Sequence, residues 1–156
     1  MARLLSGRKF VQAAVDIGCS ALPNPVNAMQ VGQSAEVSVH AKTIWNDTGI
    51  QLERQQTYRF EVAHSERWLD SSILCGAEGF TSPNRYVGMW EWARRAPNSR
   101  WFLLMGSIQK GPVFEIGVDL IKRIADSGTL FCYANDVIAM YWNNRGSIKL
   151  KITRTQ

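Results

Sequence analysis

The sequence predicts an all-β protein, an antiparallel β-sandwich or jelly roll, with a short helical extension before it. From about Ala35 onward, apolar and polar residues alternate with a period of two. This period is typical of strands that place one face on a core and the other in water. Turn-forming segments rich in Gly, Pro, Asn and Asp interrupt the pattern at short intervals, which indicates many short antiparallel strands.

Two parts are predicted along the chain. Residues 1–34 form an N-terminal extension, and residues 35–156 form the sandwich domain. In the extension, Ser6 is a suitable N-cap for a short helix that ends near Gly18. A proline-containing linker follows, because proline lacks a backbone donor and restricts the residue before it.

Alternation is clearest in three predicted strands, at residues 36–40, 58–62 and 148–152. Further strands are predicted at Arg100–Gly106, Val113–Val118 and Thr129–Asn135. The segment Asn46–Gly49 is predicted as a turn. Residues 66–99 have no clean period and are predicted as long loops with short strands.

Composition sets broad limits. The chain has 156 residues, of which 46% are hydrophobic and 20% charged, as expected for one globular domain. The net charge of +5 is scattered along the sequence, so a solvated surface is favoured over a nucleic-acid patch. No membrane span and no signal peptide are expected, which leaves cytoplasmic residence and export without a cleaved signal both open.

The three cysteines, Cys19, Cys75 and Cys132, are too far apart for a C-x-x-C motif. Cys132 lies in an apolar run and is predicted to be buried. A Cys75–Cys132 disulfide is left open, and the odd number of cysteines favours a reducing compartment.

One region concentrates oxygen ligands. Thr129–Asn135 and Ser147–Thr153 are predicted to pair as an antiparallel hairpin with a long connection. Asp136 would leave the first strand, and Asn143 and Asn144 would precede the second. Carboxylate, amide and nearby backbone oxygens are the hard ligands that Ca²⁺ selects. The alternative is that the two asparagines only shape a turn and that Asp136 hydrogen-bonds its own loop.

Several motifs resemble the bacterial calcium-dependent galactophilic lectins. The similarity is carried by Gly128-Thr129-Leu130, by Tyr-x-Asn-Asp-Val at 133–137 and by Tyr-x-Asn-Asn-x-Gly-Ser at 141–147. Weaker similarity extends upstream to residues 45–50, to residues 58–62 and to Trp68 with Asp70. The resemblance implies a galactose-binding-domain-like sandwich.

The resemblance also implies a metal site. Carried over, the calcium ligands are Asp136, Asn143, Asn144 and the carbonyl of Met140, with one further carbonyl from the loop that contains Trp68, Asp70 and Ser71. In the family, the ion binds two neighbouring sugar hydroxyls. Two departures stand out: Met140 replaces a small polar residue, and residues 72–99 hold no match for the histidine and glutamine that grip the sugar.

Tryptophans are the second group of candidates, because indole stacks well on the apolar faces of sugars. Trp68 and Trp142 are the predicted stacking residues, and Trp142 lies inside the candidate ion loop. The alternation in residues 89–92 predicts a strand with Trp90 and Trp92 on one side. The alternative for each of these side chains is a buried aromatic cluster beneath the loops.

The predicted function is a non-enzymatic, lectin-like carbohydrate-binding domain that uses Ca²⁺. Such a lectin gains from several linked sites, so this hypothesis implies a homo-oligomer. One alternative is a structural or protein-interaction sandwich that has lost the sugar site, and another is an accessory domain of a larger enzyme. Catalytic signatures are missing: the sequence has no Gly-x-Ser-x-Gly elbow, phosphate loop or dinucleotide fingerprint.

Overall fold

The computed structural model describes residues 28–82 and 85–156, and over these residues it is an antiparallel β-sandwich. The predicted fold class is therefore confirmed. The strands are β1 (Ser34–His40), β2 (Asn46–Leu52), β3 (Thr57–Val62), β4 (Trp68–Asp70), β5 (Ile73–Cys75), β6 (Glu78–Phe80), β7 (Trp101–Ile108), β8 (Val113–Glu115), β9 (Asp119–Arg123), β10 (Gly128–Ala134) and β11 (Asn144–Arg154). A helix, α1 (Arg85–Gly88), and two 3-10 helices, Glu91–Ala93 and Ile138–Asn143, complete the described elements.

The strands form two sheets. In sheet I the order is β5-β4-β11-β3-β9, and β1 also pairs with β11. In sheet II the order is β2-β10-β7-β6, and β8 also pairs with β7. The last strand, β11, is the centre of sheet I, because Leu150 pairs with Val37 of β1 on one side and with Val62 of β3 on the other.

The hydrophobic core lies between the sheets. In β11, Ile148, Leu150 and Ile152 are fully buried, while Lys149 and Lys151 are exposed. This alternation follows from the pleat of a strand with one solvent face. Sheet II contributes side chains that include Leu52, Phe102, Leu104, Leu130 and Cys132 to the same core.

The predicted turn at Asn46–Gly49 is wrong, because these residues begin β2. The turn signal instead marks an irregularity in the strand. The pairing of β2 with β10 shifts register between Thr129 and Phe131, and Gly49 has a φ of +68°. Asp47 accepts a hydrogen bond from the Gly49 amide at 2.9 Å. Polar side chains thus satisfy local backbone groups within a bulge, as they would in a turn.

The predicted hairpin of Thr129–Asn135 with Ser147–Thr153 is also wrong. The first segment belongs to β10 in sheet II, and the second belongs to β11 in sheet I. The connection between them is long enough to cross from one sheet to the other, and the 3-10 helix Ile138–Asn143 occupies most of it.

Residues 66–99 contain the short strands β4, β5 and β6, as predicted, but residues 89–92 are not a strand. The Met89 amide donates to the carbonyl of Arg85 at 3.1 Å, and the Ala93 amide donates to that of Trp90 at 2.9 Å. These local bonds define helical turns, so the alternation of Trp90 and Trp92 does not place both indoles on one side of a strand.

The helix predicted between Ser6 and Gly18 lies outside the described residues. The described chain begins with Ala28, which forms a bridge to Gln51, and with Met29, which is packed in the core at 5% exposure. Cys75 and Cys132 are buried free thiols. Among the described helices, none has the length and apolarity needed to cross a membrane.

Candidate functional site

Asp136 occupies the point where the chain leaves sheet II. It follows β10 by two residues, and it is 1% exposed. One carboxylate oxygen accepts the Val137 amide at 2.6 Å, and the other accepts Asn144 Nδ2 at 2.9 Å. Burial raises the pKa of this carboxyl, while these two hydrogen bonds oppose the rise. Each oxygen keeps a lone pair for a further partner.

Asn144 brings the corresponding group from sheet I. It is the first residue of β11, it is 1% exposed, and it pairs across the sheet with Asp70 of β4. Its Nδ2 also lies 3.4 Å from the carbonyl of Ala41. Its Oδ1 is buried and accepts no hydrogen bond from the described residues. Such an orphaned oxygen is costly unless a ligand or water completes it.

Asp70 adds a second carboxylate. Because directly paired residues place their side chains on the same face of a sheet, Asp70 lies beside Asn144. Burial, followed by the negative charge of Asp136, raises the pKa of Asp70 to about 6. Ser71 comes next, in an exposed turn, with an uncommon left-handed φ of +53°. The segment predicted as one loop is thus a short strand followed by this turn.

The chain segment between Asp136 and Asn144 consists mostly of the 3-10 helix Ile138–Asn143. Met140 lies in it, with its amide donating to the carbonyl of Val137 at 2.8 Å and its side chain exposed. Asn143 is half-buried, and its Oδ1 is a second buried oxygen that accepts no hydrogen bond within the described chain. Tyr141 anchors the helix by donating its hydroxyl proton to the carbonyl of Ala134.

Arg95 was not a predicted site residue, yet it contacts residues from several elements around the candidate site. Its guanidinium lies 3.4 Å from the ring centre of Tyr133 and 4.1 Å from that of Trp45. It donates to the Tyr141 hydroxyl at 2.9 Å, and its backbone amide donates to the carbonyl of Asp136 at 3.2 Å. No sequence signal identifies this role, because it depends on aromatic residues that are distant in sequence.

Asn135 has a structural role. It is fully buried, its Oδ1 accepts the Ala96 amide at 2.9 Å, and its Nδ2 donates to the carbonyls of Ala96 and Arg100 at 2.9 Å each. These bonds fix the loop before β7 against the end of β10. The side-chain amide of Asn135 is therefore used in binding the backbone of residues 96–100.

The kinds of oxygen donor in this region are those that Ca²⁺ prefers. Asp70 and Asp136 offer carboxylates, and Asn143 and Asn144 offer buried amide oxygens that accept no hydrogen bond from the described residues. In the part of the chain that is described, no three His, Cys, Asp or Glu side chains cluster as a metal site. A cation here would depend on amide and carbonyl oxygens as well as carboxylates, which suits the hard, flexible coordination of Ca²⁺ better than that of Zn²⁺.

The predicted aromatic residues separate into two groups. Trp142 is 70% exposed, so its indole is available to a ligand. Trp68 is 1% exposed, with its indole nitrogen donating to the carbonyl of Gly76 at 3.0 Å and its ring packed edge-on against Phe102. The prediction that Trp68 stacks on sugar is therefore wrong, because its aromatic ring belongs to the core.

Known structures include one that resembles this chain along most of its described length. It is described as "EclA N-terminal domain; PllA-like lectin", and it aligns with a TM-score of 0.56 and 17% sequence identity over 76% of this chain and 94% of that chain. No protein-family model and no curated protein match the sequence. At this identity the likeness establishes the fold alone: the chain has a lectin-like β-sandwich.

Proposed function

We propose that this chain is a carbohydrate-binding domain whose site uses Ca²⁺ held by Asp136, Asn143 and Asn144. The observation that carries the proposal is the buried Oδ1 of Asn144, which accepts no hydrogen bond from the described residues, on a side chain that bonds Asp136 and pairs with Asp70. The preceding residue, Asn143, holds a second such oxygen. The lectin-like fold supports the same function. Asp70, the carbonyl of Met140 and a carbonyl near Ser71 would complete the ligands.

The protein residues would prepare the site in two ways. Hydrogen bonds from Val137 and Asn144 orient the Asp136 carboxylate, and the pairing of β4 with β11 holds Asp70 next to Asn144. When bound, Ca²⁺ supplies a centre that accepts sugar hydroxyl oxygens as additional ligands. The exposed indole of Trp142 would then stack on the apolar face of the sugar.

A second candidate is a protein-interaction domain without a metal. It is favoured by the bonds of Asp136 to Val137 and Asn144, which also describe a self-contained loop. In that case, Trp142 would contact protein. The chain could serve as an accessory domain of a larger enzyme whether its ligand is a carbohydrate or a protein. Calcium binding separates the first proposal from the metal-free one.

Thermal unfolding with Ca²⁺, with Mg²⁺ and with chelator tests the metal. A ligand present at 100 times its dissociation constant adds about 2.7 kcal/mol to the free energy of unfolding. For a chain of this size, this corresponds to a rise in Tm of about 5–10 °C. We expect this rise with Ca²⁺, little effect of Mg²⁺, and no calcium effect in Asp136→Asn.

Asp126→Asn is the matched control, because Asp126 is an exposed carboxylate outside the site. It should keep the full response to calcium. Equal Tm values in calcium and chelator for the unchanged protein would contradict the metal site. A glycan array with and without Ca²⁺ then tests sugar binding, and binding that is unaffected by chelator would refute the calcium mechanism.

A further inference from the structure

A second group of exposed aromatic side chains lies on the segment of residues 85–93, away from the candidate ligands in sequence. Trp92 is 76% exposed and Trp90 is 57% exposed. Exposed apolar side chains that are grouped on a surface often mark an interaction site. The proposed calcium site does not include them.

The backbone that carries Trp92 is fixed by several hydrogen bonds. Arg94, which is 9% exposed, donates to the carbonyls of Glu91 at 3.2 Å and Pro97 at 2.7 Å. Its guanidinium lies 4.9 Å from the ring centre of Trp101. An exposed indole on an anchored turn loses little conformational entropy when it binds, which favours a recognition role.

The same segment adjoins the candidate ion site. Arg94 forms an antiparallel bridge with Val137, and the Arg95 amide donates to the carbonyl of Asp136 at 3.2 Å. Three residues of extended chain span at most about 10 Å, which limits the distance between the Cα atoms of Trp92 and Arg95. The 3-10 helix Glu91–Ala93 shortens this distance. The Cα atom of Trp92 therefore lies within the length of a short oligosaccharide from the backbone of Asp136.

We propose that Trp92 forms a subsite for the second sugar ring of an oligosaccharide whose terminal ring occupies the calcium site. This inference rests on the proposed function. The proposed ligand is a neutral glycan, because an exposed indole on a hydrogen-bonded turn offers an apolar stacking face and no charge. The terminal ring would be recognised through its hydroxyl groups, and the next ring through its C–H face.

Calorimetry in calcium buffer tests the subsite. The probes are the methyl glycosides of galactose, glucose, mannose and fucose, and disaccharides that end in each of these sugars. Trp92→Ala should weaken binding of the preferred disaccharide by about threefold to tenfold and leave the matching methyl glycoside unaffected. Trp92→Phe should restore most of the loss, because a phenyl ring also stacks. Ile121→Ala, which removes an exposed apolar side chain from β9, is the control.

Each result has a defined meaning. If sugars bind but Trp92→Ala weakens the disaccharide and the methyl glycoside equally, or weakens neither, the subsite is overturned while the proposed function stands. If the unchanged protein binds none of the probes, the proposed function fails and the subsite fails with it. A loss confined to the disaccharide and recovered by Trp92→Phe supports the subsite.

Discussion

Asp136 and Asp70 are two carboxylates that the fold holds close together in a poorly solvated position. Both have raised pKa values, through burial in each case and, for Asp70, also through the charge of Asp136. Like charges in such surroundings are unfavourable unless a cation or proton neutralises them. The pair is therefore a local cost to stability that a ligand can remove.

Asp70 should make stability depend on pH. Its pKa rises from 3.8 to about 6 on folding, so the folded state binds the proton more tightly than the unfolded state does. Its contribution is fully present below about pH 4 and is lost as pH rises through about 6. Denaturant unfolding in chelator at pH 4.5 and pH 7 should reveal this loss in the unchanged protein.

Asp70→Asn should remove this pH dependence. At pH 7 in chelator, the variant should be more stable than the unchanged protein by about 1 kcal/mol, after allowance for solvent screening. It should also respond less to calcium, because one negative ligand is gone. A variant that is less stable at pH 7 than the unchanged protein would show that the Asp70 charge is favourably paired.

At the scale of elements, the connection between β10 and β11 depends on Arg95. The guanidinium packs on Trp45 and Tyr133 and hydrogen-bonds Tyr141 of the 3-10 helix. Arg95→Ala removes three cation–π contacts and the side-chain hydrogen bonds to Tyr141 and Ile44. It should lower the free energy of unfolding by about 2–4 kcal/mol, as measured by denaturant unfolding.

Arg95→Lys should recover only part of this loss, because an ammonium group cannot stack as a planar guanidinium does. Arg145→Ala is the control, since Arg145 is exposed, and it should change stability by less than about 0.5 kcal/mol. An equal effect of Arg95→Ala and Arg145→Ala would mean that the aromatic contacts of Arg95 contribute nothing.

Strands could be predicted from the sequence where apolar and polar residues alternate within the strand itself. The alternation in β1, β3 and β11 reflects one buried and one wet face, which is a local property. The strand β2 was missed because Asn46 and Asp47 use their side chains to satisfy nearby backbone groups, as they would in a turn. The pairing of β10 and β11 was mispredicted because sequence proximity does not determine which sheet a strand joins.

The candidate site follows the same division. Asp136, Asn143 and Asn144 were predicted from local oxygen chemistry and from the lectin-like motif that contains them. The burial of Trp68 and the cage around Arg95 depend on contacts between residues far apart in sequence. Trp68, for example, packs on Phe102, and neither residue's surroundings can be deduced from its own neighbours.

At the scale of the whole molecule, the two described cysteines report on global unfolding. Burial raises the pKa of the Cys75 thiol to about 12 and also raises that of Cys132, which is fully buried. The thiolate is the reactive form, so both should resist alkylation at pH 8 in the native protein. In denaturant, both should react rapidly.

Mass spectrometry after iodoacetamide treatment of Cys19→Ser measures these two sites alone. The alkylation rates of Cys75 and Cys132 should increase over the same range of denaturant concentration, because both side chains belong to the same hydrophobic core. Alkylation of Cys75 well before Cys132 would indicate that β5 opens separately from the rest of the sandwich.

The position of β11 in sheet I has a consequence for biosynthesis. Of the described strands, β11 is made last, yet β1, β3 and β4 all pair with it. Ser34 and Thr153, which share a hydrogen bond, are 119 positions apart. Sheet I therefore cannot form completely until β11 has left the ribosome, and before then the strands that pair with β11 have unpaired edges. Folding is expected to be slow for the size of the domain, and the partly synthesised chain is expected to be the most aggregation-prone state.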